Sequence, residues 1–283
     1  MKIRFIQDFI DRMREKVQCL DLFVIREGHI RNTKDFHTLI VGSSHIFGYK
    51  TKEGELNAAM TSQDLYSSYM MYKKLNHPGL KNIIISFSVF SPGFCIAKTI
   101  QLCQMSILYK LFYGIDYEYE DFAREKKLYQ KEKYYTKMIS KYRKAFLEGK
   151  FKKKPVHPRL DEKYITSRTA SHFKNNQREP DEMRWCEALI KDAKENGQKV
   201  IIYIPPAMSV YKDRLPSSDI LFKKLYDVCQ KYDNVKILNY YDSKEIVDDD
   251  FADCDHLSED TMNNPENKKC ITERIREVVN SAV

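Results

Sequence analysis

Neither a disulfide framework nor a zinc-binding spacing is present in this sequence. Its seven cysteines, at positions 19, 95, 103, 186, 229, 254 and 270, are odd in number, scattered, and never stand as C-x-x-C. A reducing cytoplasm is the compartment this predicts. Long apolar runs are lacking too: the opening Met1-Lys2-Ile3-Arg4-Phe5-Ile6-Gln7-Asp8 carries charge every few residues, unlike a signal peptide or a membrane-spanning helix, so no transmembrane segment is expected. There is no Walker-type phosphate loop and no Gly-x-Gly-x-x-Gly, which removes support for a nucleotide-driven enzyme or a dehydrogenase. His37, His157 and His172 have no acidic or cysteine neighbour at ligand spacing, so no metal is expected. Internal repeats and low-complexity tracts are also missing.

What is present suits one large α/β core with an elaboration: 283 residues, of which 42% are hydrophobic, can bury such a core without covalent staples. The formal charge of +8 is concentrated, because residues 121 to 160 hold 14 Lys or Arg against 4 Asp or Glu. That stretch, which includes Lys152, Lys153 and Lys154, fits attraction of an anionic glycan, a phosphate-bearing donor, or an acidic membrane surface touched peripherally. A solvated helical face is the plain alternative. A nucleic-acid partner is not expected.

Along the chain, Phe5, Ile6, Phe9, Ile10, Met13, Val17 and Leu20 fall at helical spacing, which predicts an amphipathic N-terminal helix within residues 1 to 30. An apolar strand at 37 to 42 leads into a loop holding Gly48 and Gly54, then into a helix from Ser62-Gln63-Asp64 to about Leu75. Asn82 to Val89 reads as a buried parallel strand, and further strands are expected at 199 to 204 and 234 to 239, each after a helical pattern. Strand and helix alternate, so residues 31 to 283 should form one mostly parallel sheet with helices on both faces. The gap between the strands ending near Val89 and beginning near Lys199 is too long for a single crossover. It implies a mainly helical basic insertion at about 109 to 180, with long helices over 109 to 151 and a returning loop over 152 to 180.

Two short segments at opposite ends carry the chemistry. Leu39-Ile40-Val41-Gly42-Ser43-Ser44-His45 reads as a strand breaking into a tight turn, which lifts a hydroxyl onto the carboxyl edge of the sheet, where open α/β folds place their ligands. Asp253-Cys254-Asp255-His256-Leu257 offers an imidazole and a carboxylate three residues apart, the base and orienter that a serine nucleophile needs. Taken singly, each block is also compatible with an ordinary turn or surface loop.

Together the two blocks resemble the SGNH hydrolase superfamily, the GDSL-type esterases and acetyltransferases. The Gly42-Ser43-Ser44-His45 variant, the segment Asn57-Ala58-Ala59-Met60-Thr61-Ser62-Gln63-Asp64-Leu65 and the strand end Tyr203-Ile204-Pro205-Pro206 look especially like members that modify bacterial surface polysaccharides. The resemblance spans roughly residues 37 to 95 and 199 to 280. It implies a three-layer α/β sandwich with a flavodoxin-like parallel sheet, and a serine esterase or O-acyltransferase acting on a capsule or lipopolysaccharide type of glycan, with acetyl-CoA as a candidate donor. It implies Ser44 as nucleophile, His256 as general base and Asp253 as its orienter. The oxyanion hole would use the backbone amides of Ser44 and of Ser62, which stands where relatives commonly carry Gly. Ser43, His45 and Asn57 are expected to line the substrate site, with Lys152 to Lys154 as its charged outer part. Two departures stand out. The family's Gly-x-Asn-Asp block is missing after the 82 to 89 strand, which leaves Gln63, Ser88 or Ser91 as replacement donors, and the Gly often found after the His-Leu pair is absent. A glycan-binding assembly protein that keeps the fold with weak catalysis or none is the alternative.

Overall fold

The computed structural model describes residues 20–99, 102, 105–117, 133, 134, 136, 137 and 161–281. The amphipathic pattern at 3 to 20, most of the basic stretch, and Lys152, Lys153, Lys154 and His157 lie outside the described residues. Among the described residues no helix is long and apolar enough to cross a membrane.

The chain divides into two units, one made of Met1–Lys34 and Cys95–Pro155, the other of Asp35–Phe94 and Val156–Val283. Much of the insertion expected at about 109 to 180 lies outside the described residues. In the first unit, helix α1 (Leu20–Asn32) buries Phe23. That ring meets Tyr109 edge-on at 4.9 Å and packs near Phe112 and Tyr113, on a π-helical turn spanning Tyr109–Tyr113.

The second unit is built on β1 (Thr38–Val41), β2 (Glu55–Asn57), β3 (Asn82–Ser86), β4 (Lys199–Ile204) and β5 (Val235–Asn239). All pair in parallel in the order β2-β1-β3-β4-β5, the flavodoxin-like arrangement. The β-branched runs of β1, β3 and β4 are buried on both faces, as a sheet covered by helices requires. Because side chains alternate along a strand, Ile40, Ile84, Ile201 and Tyr203 share one face, where α7 (Ile271–Ser281) supplies Ile275 and Val279. The other face carries α3 (Leu65–Leu75), α5 (Met183–Glu195) and α6 (Lys223–Cys229), with α5 packed between its two neighbours.

Two elements depart from the pattern read in the sequence. Strand β2 lies in what reads as a loop, because three residues with one apolar side chain show no periodicity; pairing with β1 alone makes it a strand. Helix α4 (Glu162–Asn176) stands where a returning loop was expected. Its N-terminus is capped by the Asp161 carboxylate, which accepts from the Tyr164 N–H at 2.9 Å. Its buried residues are Ile165, Thr169 and Asn176, so most of its inward face is polar and leaves no apolar stripe to read. The expected 82 to 89 strand is also shorter, ending at Ser86.

Candidate active site

Strand β1 ends at a glycine that nothing else could replace without rearrangement. Gly42 has φ +124°, a region side-chain-bearing residues rarely adopt, and a β-carbon there would lie 2.3 Å from the Ser86 hydroxyl oxygen. The turn is tied from three sides. The Gly42 N–H donates to Gln63 Oε1 at 2.5 Å, its carbonyl accepts from the Met60 N–H at 3.0 Å, and the Ser43 N–H donates to Ser86 Oγ at 2.9 Å. Ser44 then opens the short helix α2 (Ser44–Phe47), with its side chain partly exposed.

The second segment is held by its own carboxylate. Residues 251 and 257 form an antiparallel bridge, and the Ala252 N–H donates to the His256 carbonyl at 2.8 Å. Inside this loop Asp253 Oδ1 accepts from the backbone N–H groups of Asp255 and His256 at 3.0 and 2.9 Å. The same carboxylate faces His256 Nδ1 at 2.9 and 3.1 Å through its two oxygens. Asp253 therefore shapes the loop and orients the ring together. No glycine is needed after Leu257, because Ser258 caps the following helical turn by accepting from the Thr261 N–H.

The opposite nitrogen, His256 Nε2, stands 2.8 Å from Ser44 Oγ across a separation of 212 residues. A hydroxyl bonded to an imidazole that is bonded to a carboxylate can pass its proton to the ring as the oxygen attacks an electrophile.

No family model and no curated protein matches the chain.

Burial alone would lower the His256 pKa, but hydrogen bonds to Asp253 and Asp255 and their negative charges outweigh it and raise the ring to about 9. Behind this ring lies a second one: His45 stacks on His256 with centroids 4.6 Å apart and planes within 6°. His45 is buried and its Nε2 lies 3.2 Å from Asp255 Oδ2. An ionised carboxylate only accepts, so Nε2 donates and Nδ1 is left to accept from the hydroxyls of Ser43 and Ser88, at 3.0 and 2.8 Å. Desolvation, opposed by the Asp255 hydrogen bond, lowers the His45 pKa and keeps the ring neutral.

Asp255 is almost wholly buried and is gripped by Arg168, Nε to Oδ1 at 2.6 Å and Nη2 to Oδ2 at 3.0 Å. Its burial favours the neutral acid, yet the charge and hydrogen bonds of His256, the bond from His45 and the charge of Arg168 hold it well below the usual carboxylate range. His172, bonded to the Tyr211 hydroxyl at 2.7 Å, is driven by desolvation to a pKa of about 3 and is neutral. The ligand atoms of His45, Asp255 and His256 lie within 4.8 Å of one another, a spacing a metal could use. The Arg168 fork on both Asp255 oxygens already places a fixed cation against that carboxylate, so the cluster reads as a satisfied ion network.

Of the residues singled out in the sequence, the structure brings Ser44, His256 and Asp253 into one hydrogen-bonded line. Others take supporting positions rather than the substrate-facing ones expected. Ser43 and His45 are buried and bonded to one another. Asn57 is buried, its amide nitrogen donating to the carbonyls of Ile46, Phe47 and Tyr49 at 2.9 to 3.2 Å and its oxygen accepting from the Ala59 N–H, so it ties down the segment after α2. Gln63 spends its oxygen on Gly42, and Ser88 spends its hydroxyl on His45 and its N–H on Ser91 Oγ at 2.9 Å. None of these is a free donor at the Ser44 hydroxyl. Ser62 has φ +57°, the left-handed region where glycine is favoured, and lies between Met60 and Gln63, both bonded to Gly42. Arg168 went unnoticed in the sequence, and His172 figured there only as a histidine without metal-ligand spacing. Their signal was weak: a cap at Asp161, then Ile165, Arg168, Thr169 and His172 at helical spacing.

Proposed function

We propose that the protein is a serine-dependent acyltransferase or esterase that acts on carbohydrate, most closely an O-acetyl transfer or removal on a bacterial surface polysaccharide of capsule or lipopolysaccharide type. The observation that carries this reading is the line Ser44 Oγ to His256 Nε2 at 2.8 Å and His256 Nδ1 to Asp253 at 2.9 Å. Its position supports the reading further, since Ser44 follows the first strand of a sheet whose order reverses between β1 and β3, where such folds gather their ligands.

In the first half-reaction the neutral His256 takes the Ser44 proton on Nε2 while Oγ attacks the acyl carbonyl. The charge that develops on the carbonyl oxygen would be met by the backbone N–H of Ser44, one of the donors that a helix start leaves unpaired, and by that of Ser62. Collapse of the tetrahedral species breaks the bond to the leaving group, which carries away the proton from His256, and leaves an ester on Ser44. In the second half-reaction His256 deprotonates the acceptor hydroxyl as it attacks that ester, and the imidazolium returns the proton to Oγ as the bond between the acyl carbon and Ser44 breaks. A sugar hydroxyl as acceptor makes a transferase; water makes an esterase. Asp253 stabilises the imidazolium present between steps. Acetyl-CoA as donor and the glycan as acceptor rest on the resemblance and the basic stretch, and a cytoplasmic location rests on the seven scattered cysteines.

The test is covalent. A fluorophosphonate probe should label Ser44, shown by peptide mapping, and labelling should vanish in Ser44→Ala and His256→Ala. Absence of labelling in the folded wild-type protein would replace this reading with that of a glycan-binding protein. Incubation with acetyl-CoA and candidate glycans, against hydrolysis of p-nitrophenyl acetate, then separates transferase from esterase.

A further inference from the structure

His256 Nδ1 faces two carboxylates rather than one: besides Asp253, Asp255 Oδ1 lies 3.4 Å away. Two full negative charges beside one imidazole would keep it protonated at neutral pH and so leave little of the neutral form that can take a proton. The second carboxylate is not left bare. Arg168, from helix α4, places Nε on the same Oδ1 atom at 2.6 Å and Nη2 on Oδ2 at 3.0 Å, and the His45 ring that stacks on His256 is bonded to that Oδ2.

We propose that Arg168 and Asp255 are positioning residues that set the proton affinity of His256, the guanidinium cancelling much of the Asp255 charge while the carboxylate, through His45, fixes the ring plane. The groups that face His256 or this pair are Asp253, Cys254 and Asp255 on its own loop, His45 from α2, Arg168, His172 and Tyr164 from α4, and Tyr211 beside His172. Of these, Asp253, Asp255 and Arg168 carry the fixed charges. His45 and His172 are neutral, as described above, and burial holds the Tyr211 hydroxyl protonated.

The two ends of this ion pair must act in opposite directions. Arg168→Gln leaves Asp255 unscreened and should raise the His256 midpoint. Asp255→Asn leaves a positive charge near the ring and should lower it. Each displacement should be about one pH unit, the scale of a charge at this distance. A pair that merely braced the fold would weaken the protein at either end without separating the midpoints.

Titration of the His256 imidazole by NMR, with its signal assigned through its loss in His256→Gln, reads this directly. Expected are a raised midpoint in Arg168→Gln, a lowered one in Asp255→Asn, and an intermediate one in the double variant. Circular dichroism reports whether each variant folds. If Arg168→Gln does not fold, Arg168→Lys keeps the charge without the fork and should titrate near wild type, with Asp255→Asn still below both. Midpoints that stay put, or that move the same way in both single variants, overturn the proposal, as does an Asp255→Asn midpoint at or above wild type. The role assigned to His256 rests on the function proposed above, but the titration needs no turnover. Failed fluorophosphonate labelling would remove the function and leave this electrostatic result standing, and the reverse holds equally.

Discussion

Gly42 and Ser86 approach so closely that the Ser86 backbone nitrogen lies 2.8 Å from where a Gly42 β-carbon would sit, nearer still to the Ser86 hydroxyl. The clash is with backbone on a central strand, which cannot swing aside. Gly42→Ala therefore combines overpacking with a disfavoured φ, and should destabilise the protein by about 2 to 4 kcal/mol. Denaturant unfolding measures this. A loss below 1 kcal/mol would show that the turn carrying Ser44 relaxes far more easily than its three backbone ties suggest.

Neighbouring serines should behave differently. Ser44→Ala removes the hydroxyl that faces His256 and should reduce p-nitrophenyl acetate turnover by at least 10³-fold, with stability within about 0.5 kcal/mol of wild type. His256→Ala should match that loss. Ser43→Ala removes one of two hydroxyls that meet His45 Nδ1, and Ser88 at 2.8 Å still satisfies that nitrogen. Turnover should stay within about tenfold, the cost of one hydrogen bond. Equal losses at the two serines would contradict the assignment of the nucleophile.

The pH dependence has a definite sign. Only neutral His256 can take the Ser44 proton, and hydrogen bonds to Asp253 and Asp255 overcome burial to raise its pKa to about 9. kcat/KM for a small neutral ester should therefore climb with pH and level off only above that value. Asp253→Asn should move the midpoint down towards the ordinary histidine range and lower the plateau by about 10³ to 10⁴-fold, since an amide stabilises the imidazolium poorly. The same raised pKa predicts that the stability contributed by His256 is fully present below its unfolded pKa, near 6.5, and is lost as pH rises through about 9. A flat denaturation midpoint between these limits, compared with His256→Ala, would contradict it.

Ser62→Gly tests whether the backbone at this turn, rather than the side chain, contributes to the site. Its φ of +57° suits glycine, so the substitution should be neutral or stabilising by up to about 1 kcal/mol. Turnover should be retained, because the N–H remains. A tenfold or greater loss in kcat at unchanged KM would assign the Ser62 hydroxyl a role of its own.

The parts legible from the sequence are those made by local chemistry. The β-branched runs at 82 to 86 and 199 to 204 are strands whatever surrounds them, the Gly42-Ser43-Ser44 turn follows from a residue that alone tolerates its φ, and the Asp253 to His256 bond closes within three residues. Tertiary structure decided the rest. Strand β2 exists only because β1 offers it an edge, and helix α4 hides its function on a polar face. Which way Ser43, Asn57 and Gln63 point depends on how the segments around the carboxyl edge of the sheet press together, and the answer is inward. Asp255 meets His45 across 210 residues and Arg168 across 87, separations at which spacing along the chain carries no information. Only the order of the strands, which brings the ends of β1 and β3 together with the late loop, sets those charges against one another.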